Sequence, residues 1–85
     1  MADYTKQFGE QTFHFRRPNL DQVDRYLKAG NKGLSKASGQ LCLDIVVPED
    51  RDAWVAALQT KPGFAVQVAN MVLQDLGYAG DDVGE

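Results

Sequence analysis

Residues 12–27 read TFHFRRPNLDQVDRYL, and this stretch limits the folds open to the chain more than any other. Phe13, His14, Phe15 and Arg16 alternate apolar and polar side chains, the period of a half-buried strand. Pro18 halts that alternation, since it has no N–H to give a ladder and biases Arg17 towards extended backbone. Asn19 is then a good N-cap, Asp21 puts a carboxylate in the first turn, and Leu20, Val23 and Leu27 recur at helical spacing. A strand is delivered straight into a helix, and the rest of the chain has to cover both.

Upstream, residues 1–5 read as polar and loose, while Tyr4 and Phe8 supply the apolar positions of a first strand. Gly9-Glu10 follows, and Gly9 can take the positive φ that a tight turn needs, so an antiparallel hairpin with a second strand at 12–17 is expected. A hairpin alone is marginal in water, so Phe13 and Phe15, on one face, require helices over them.

Downstream, the first helix is expected over 20–29, and Gly30 and Gly33 bracket a polar joint. Leu34, Ala37, Leu41 and Ile45 resume the helical period, with Ser38 and Cys42 widening the stripe. Leu43, Val46 and Val47 add apolar surface on other sides, so the C-terminal half of this second helix is expected to be buried nearly all round. The β-branched run Ile45-Val46-Val47 also fits a strand. Pro48 ends the segment and opens a third helix over about 49–59, with Glu49, Asp50 and Asp52 at the positive end of its dipole. Trp54 and Leu58, four apart, form its buried edge beside Ala57. Pro62-Gly63 starts the fourth helix, whose apolar face is Phe64, Val68, Met71, Val72 and Leu76; Gly77 is its C-cap, with Tyr78 folding back on the last turn. The fold class is α+β, mostly α: an N-terminal β-hairpin followed by about four short helices, one domain over 1–77, with an acidic tail over 78–85 expected to be flexible.

Eighty-five residues suit one small core, and 44% hydrophobic with 25% charged residues is a globular composition. The net charge of -3 argues against a nucleic-acid binder, which normally shows a basic excess. No apolar run approaches the roughly 20 residues of a membrane span. The N-terminus has no basic segment followed by an apolar one, and a single cysteine permits no internal disulfide, so a cytoplasmic location is expected.

No catalytic or metal set emerges. His14, the lone histidine, has no Cys or second His at ligand spacing and reads as an exposed strand residue. Cys42 has no base or helix N-terminus to lower its pKa and reads as a small buried hydrophobe. The acidic Glu49, Asp50 and Asp52 lack the alternation of a calcium loop. Ser35 and Ser38 lack material for a hydrolytic triad, and GNKG at 30–33 lacks phosphate-loop spacing. The remaining candidates are Arg16, Arg17 and Arg25, which either pair with carboxylates of their own domain, such as Asp21 or Asp24, or face a protein partner.

Taken in order, FHFRRPNLDQVDRYL, LCLDIVVPEDRDAWVAAL and KPGFAVQVANMVLQDLG resemble the small tail assembly proteins of tailed phages and prophages. The landmarks are Phe15-Arg16-Arg17-Pro18, the Pro-acidic turn Pro48-Glu49-Asp50 and the Pro-Gly turn Pro62-Gly63. The resemblance covers residues 13–77. It implies a non-enzymatic tail assembly chaperone without a cofactor, which keeps a long apolar helical client such as the tape-measure protein soluble, with Arg16, Arg17 and Arg25 as partner-binding residues. Two alternatives stay open: a structural or adaptor subunit that remains in a phage-like tail particle, and a small DNA-associated regulator using the same arginines.

Overall fold

The computed structural model describes residues 2–78. Strand β1 (Tyr4–Phe8) pairs antiparallel with β2 (Gln11–Phe15), Tyr4 opposite Phe15 and Phe8 opposite Gln11. Gly9 takes φ +61 at the first of the two turn positions, where a left-handed residue matches the strand twist. Four helices follow: α1 (Leu20–Gly30), α2 (Leu34–Ile45), α3 (Arg51–Thr60) and α4 (Gly63–Asp75), with a 3-10 turn at Pro48–Asp50 leading into α3. The fold is α+β and mostly α. The start of the chain is more ordered than its polarity implied: Tyr4 and Thr5 lie in β1, and the Asp3 N–H donates to the Phe15 carbonyl at 3.0 Å. The acidic tail, apart from Tyr78, lies outside the described residues.

Helix α1 opens with a reciprocal cap: Asn19 Oδ1 accepts the Gln22 N–H at 2.8 Å, and Gln22 Oε1 accepts the Asn19 N–H at 2.9 Å. Two of the orphan donors of the junction are thereby satisfied. Its buried face differs from the Leu20, Val23, Leu27 stripe. Val23 and Tyr26 are the buried pair, whereas Leu20 is 72% and Leu27 44% exposed. Residues three apart share a face, and rolling the helix towards Tyr26 covers the larger aromatic ring. Leu34, at the start of α2, is likewise exposed.

Helices α2 and α4 contribute to both halves of the core. On one side Val23 and Tyr26 of α1 meet Ala37, Leu41, Ala69 and Leu73. On the other, Phe13 and Phe15 of the hairpin meet Cys42, Ile45, Val46, Trp54, Ala65, Val68 and Val72. Leu76 packs against both groups. Small residues at Ala37, Ser38, Cys42, Ala65 and Ala69 let α2 and α4 lie close, and Cys42 Sγ donates to the Ala65 carbonyl at 3.5 Å.

The two readings of Ile45-Val46-Val47 each hold for part of the run. The helix persists through Ile45, after which Val46 turns extended and forms an antiparallel bridge with Phe15. The Arg16 N–H donates to the Ile45 carbonyl at 2.7 Å and the Val47 N–H to the His14 carbonyl at 3.0 Å. Val47 is extended as well, as Pro48 after it requires.

Helix α4 is closed by the turn at Leu76-Gly77, where Gly77 takes φ +89. The Tyr78 N–H reaches the Leu73 carbonyl at 2.8 Å and the Gly77 N–H the Gln74 carbonyl at 3.1 Å, the two bonds of a Schellman cap. A Cβ on Gly77 would meet nothing within 4 Å, so substitution is penalised through the backbone alone. Gly77→Ala should therefore cost about 1 to 2 kcal/mol. Gly39→Ala, inside α2 and also in open space, should instead stabilise by about 0.5 to 1 kcal/mol. Urea midpoints of the two variants, displaced in opposite directions, check this.

Candidate functional site

The hairpin, the end of α2 and the end of α4 place the arginines. Arg16 and Arg17 follow β2 directly, and the bond from the Arg16 N–H to Ile45 fixes Arg16 against the C-terminal end of α2. Arg25 reaches the same end from α1, with its guanidinium 3.5 Å from Asp44 Oδ2, while Gln40 holds Asp44 Oδ1 at 3.0 Å. Arg51, not singled out from the sequence, donates to the Leu43 carbonyl at 3.3 Å. Cations gather here because a helix C-terminus carries partial negative charge and unpaired carbonyls.

Arg17 turns elsewhere. Its N–H donates to Asp3 Oδ2 at 2.8 Å, and its guanidinium lies 3.9 Å from Asp75 Oδ2, which also accepts the Tyr4 hydroxyl at 2.8 Å. Burial first, and then the bond to Asp75, raise the Tyr4 phenol above its ordinary value. The carboxylate partners are thus Asp75 and Asp44, not Asp21 or Asp24. The latter two are exposed on α1, whereas Asp44 and Asp75 lie at the C-terminal ends of α2 and α4. The Arg17–Asp75 pair is exposed on both sides and the Arg25 guanidinium is exposed beside a half-buried Asp44, so both pairs contribute little stability.

His14 is half-buried rather than free on its strand face. Asp50 Oδ2 accepts its backbone N–H at 2.7 Å and lies 2.8 Å from its Nδ1. Asp50 thus does more than offset a helix dipole: it ties the turn before α3 to the middle of β2. The two residues are 36 apart in sequence, so no local pattern announces the contact. Beside them Arg16, Val47 and Glu49 border an open hollow of about 360 Å³.

A larger groove, of about 490 Å³, opens at the hairpin tip. Its floor is the outer side of α3, where Ala53, Ala56, Ala57 and Thr60 follow the one-face helical spacing with small side chains. Phe8 and Phe64 form a wall, their rings stacked at 3.8 Å and 12°. Gly9 and Gln11 border it at the turn and Lys61 at the α3–α4 corner. Lys6 Nζ stands 5.6 Å from the Phe8 ring centroid. No periodicity joins Phe8 to Phe64, and alanines on a helix read simply as helix formers, so the groove has no sequence signal of its own. Such a groove, with small residues below and aromatic rings beside, can accept the ridge of a helix.

Residues 3–82 match a family described as a domain of unknown function, DUF6848. The chain belongs to that family. A solved structure of an uncharacterised protein, rbstp2171 from Bacillus stearothermophilus, is similar to this DUF6848 chain, with a TM-score of 0.83 and 23% identity over 91% of this chain and 82% of that one. At that identity the likeness establishes a shared fold. No curated protein matches the chain. Among the described residues no three His, Cys, Asp or Glu side chains group as metal ligands, and no helix is long and apolar enough to cross a membrane.

Proposed function

We propose that this domain is a non-enzymatic, cytoplasmic tail assembly chaperone of a tailed phage or prophage, which binds an apolar helix-forming segment of a long client such as the tape-measure protein. The observation that carries the reading is the open groove between the hairpin tip and α3, whose alanine floor and Phe8–Phe64 wall suit the apolar ridge of a helix. The ordered Phe-Arg-Arg-Pro, Pro-acidic and Pro-Gly landmarks support the same reading. Apolar burial supplies affinity, and Arg16, Arg17 and Arg25 supply orientation and association rate from the ends of α2 and α4.

Co-expression with the tape-measure protein of the same particle tests it. The client should stay soluble with the wild-type domain, and Arg16→Ala with Arg17→Ala should slow capture by about tenfold without lowering the melting temperature. A client that remains insoluble, with the domain recovered at fixed stoichiometry in finished particles, would replace this reading by that of a structural or adaptor subunit.

A further inference from the structure

We infer that Lys6 keeps the free edge of β1 from pairing with a further strand, so that the hairpin stays a two-stranded sheet. The two edges of that sheet differ. Beyond β2, the backbone groups of His14 and Arg16 point away from β1 and meet the segment from Ile45 to Asp50: the Arg16 N–H donates to the Ile45 carbonyl, the Val47 N–H to the His14 carbonyl, and Asp50 Oδ2 accepts the His14 N–H. Phe13 and Phe15 therefore turn their backbone groups towards β1, where their partners are Lys6 and Tyr4. Thr5 and Gln7 are left pointing outward. Both are exposed, and among the described residues neither backbone bonds to any other element. Such a row of unpaired donors and acceptors is a template for another strand.

The side chain of Lys6 opposes that pairing. Tyr4, Lys6 and Phe8 are the half-buried positions of β1; Tyr4 and Phe8 pack against the core, and Lys6 lies opposite the buried Phe13. The strand period asks for an apolar residue at the middle of the three, and the chain has an ammonium there. Lys6 Nζ stands 5.6 Å from the Phe8 ring centroid, and among the described residues no carboxylate pairs with it. An open edge lets the apolar stem lie along the sheet while the charge keeps its water. A strand laid against β1 takes that water away without supplying a fixed acid, which is costly. Two copies paired antiparallel about the centre of β1 fare worse, because Lys6 then stands directly opposite Lys6. This role does not rest on the function proposed above.

Amide exchange and sedimentation of the purified full chain test this. In the wild type the Thr5 and Gln7 amides should exchange about tenfold faster, or more, than those of Lys6 and Phe8, and should stay unprotected as the concentration rises. Lys6→Val keeps the strand period and removes the charge. At equal concentration it should sediment with a higher mass than the wild type, and its Thr5 and Gln7 amides should become protected. Lys6→Arg, which retains the charge, should behave as the wild type. Thr5→Pro added to Lys6→Val removes an outward N–H and spares the ladder to β2, so it should return the mass to that of the wild type. Melting curves verify that each variant folds. Protected Thr5 and Gln7 amides in the wild type, a Lys6→Val chain no heavier than the wild type, or association that survives Thr5→Pro overturns the inference.

Discussion

Trp54→Ala should destabilise the domain by about 3 to 5 kcal/mol, on the scale for buried aromatic rings cut to a methyl group. Trp54 has no exposed surface and is the one fully buried residue of α3. Its indole stands edge-on to both phenylalanines of β2, 5.0 Å and 71° from Phe13 and 5.0 Å and 84° from Phe15, with Phe8 of β1 at 6.2 Å. Such contacts add about 0.5 to 1.5 kcal/mol beyond area burial, so a double-mutant cycle of Trp54→Ala with Phe15→Ala should return a coupling of that size. A small domain typically has only about 5 to 15 kcal/mol in total, and the loss would leave α3 poorly held and the groove above it without a floor. Trp54→Phe should cost much less, because it keeps a ring in place and removes Nε1, which is buried without a hydrogen-bond partner. Denaturant unfolding followed by circular dichroism measures all of these. A Trp54→Ala variant as stable as wild type would show that the indole does not anchor α3.

The contrast between Trp54 and Leu20 marks what the sequence made legible. Trp54, and Phe13 with Phe15, could be placed inside from their elements' own periods, with Leu58 only half-buried against the same core, and the junction at Pro18-Asn19 could be placed because it is built from neighbouring residues. On α1, however, two stripes compete: Leu20-Val23-Leu27 and Val23-Tyr26 share Val23, and only the approach of α2 and α4 decides for the second. At Ile45-Val46-Val47 local preference was divided for a similar reason, and the pairing of Val46 with Phe15 settles where helix gives way to bridge. The ties that shape the candidate surfaces, Asp50 to His14, Arg17 to Asp75 and Phe8 to Phe64, join residues far apart in the chain. Arg16, Arg17 and Arg25 could therefore be singled out as a set, but neither their carboxylate partners nor the groove at the opposite end of the hairpin followed from their spacing.

Alkaline titration should expose the burial of Cys42 as a loss of stability. Burial pushes its thiol from 9.0 up to about 12, because no solvent or cation stabilises the thiolate between α2 and α4. The folded chain then holds this proton more tightly than the unfolded chain, so unfolding releases a proton once the pH passes about 9. Stability from this group is complete below that point, falls as the pH rises, and is fully lost near pH 12, where the folded thiol ionises too. Three pKa units correspond to roughly 4 kcal/mol. Cys42→Ala removes the linkage and a packed sulfur together. The variant should be less stable than wild type at neutral pH by about 1 kcal/mol. Above pH 9 its curve should fall less steeply, cross that of the wild type and leave the variant the more stable chain by pH 11. Tyr4 titrates in the same sense but is common to both proteins, so it cancels from the difference. Parallel curves for the two chains across that range would mean that the Cys42 thiol ionises as readily in the folded protein as in the unfolded one, and native Cys42 would then react quickly with a thiol reagent.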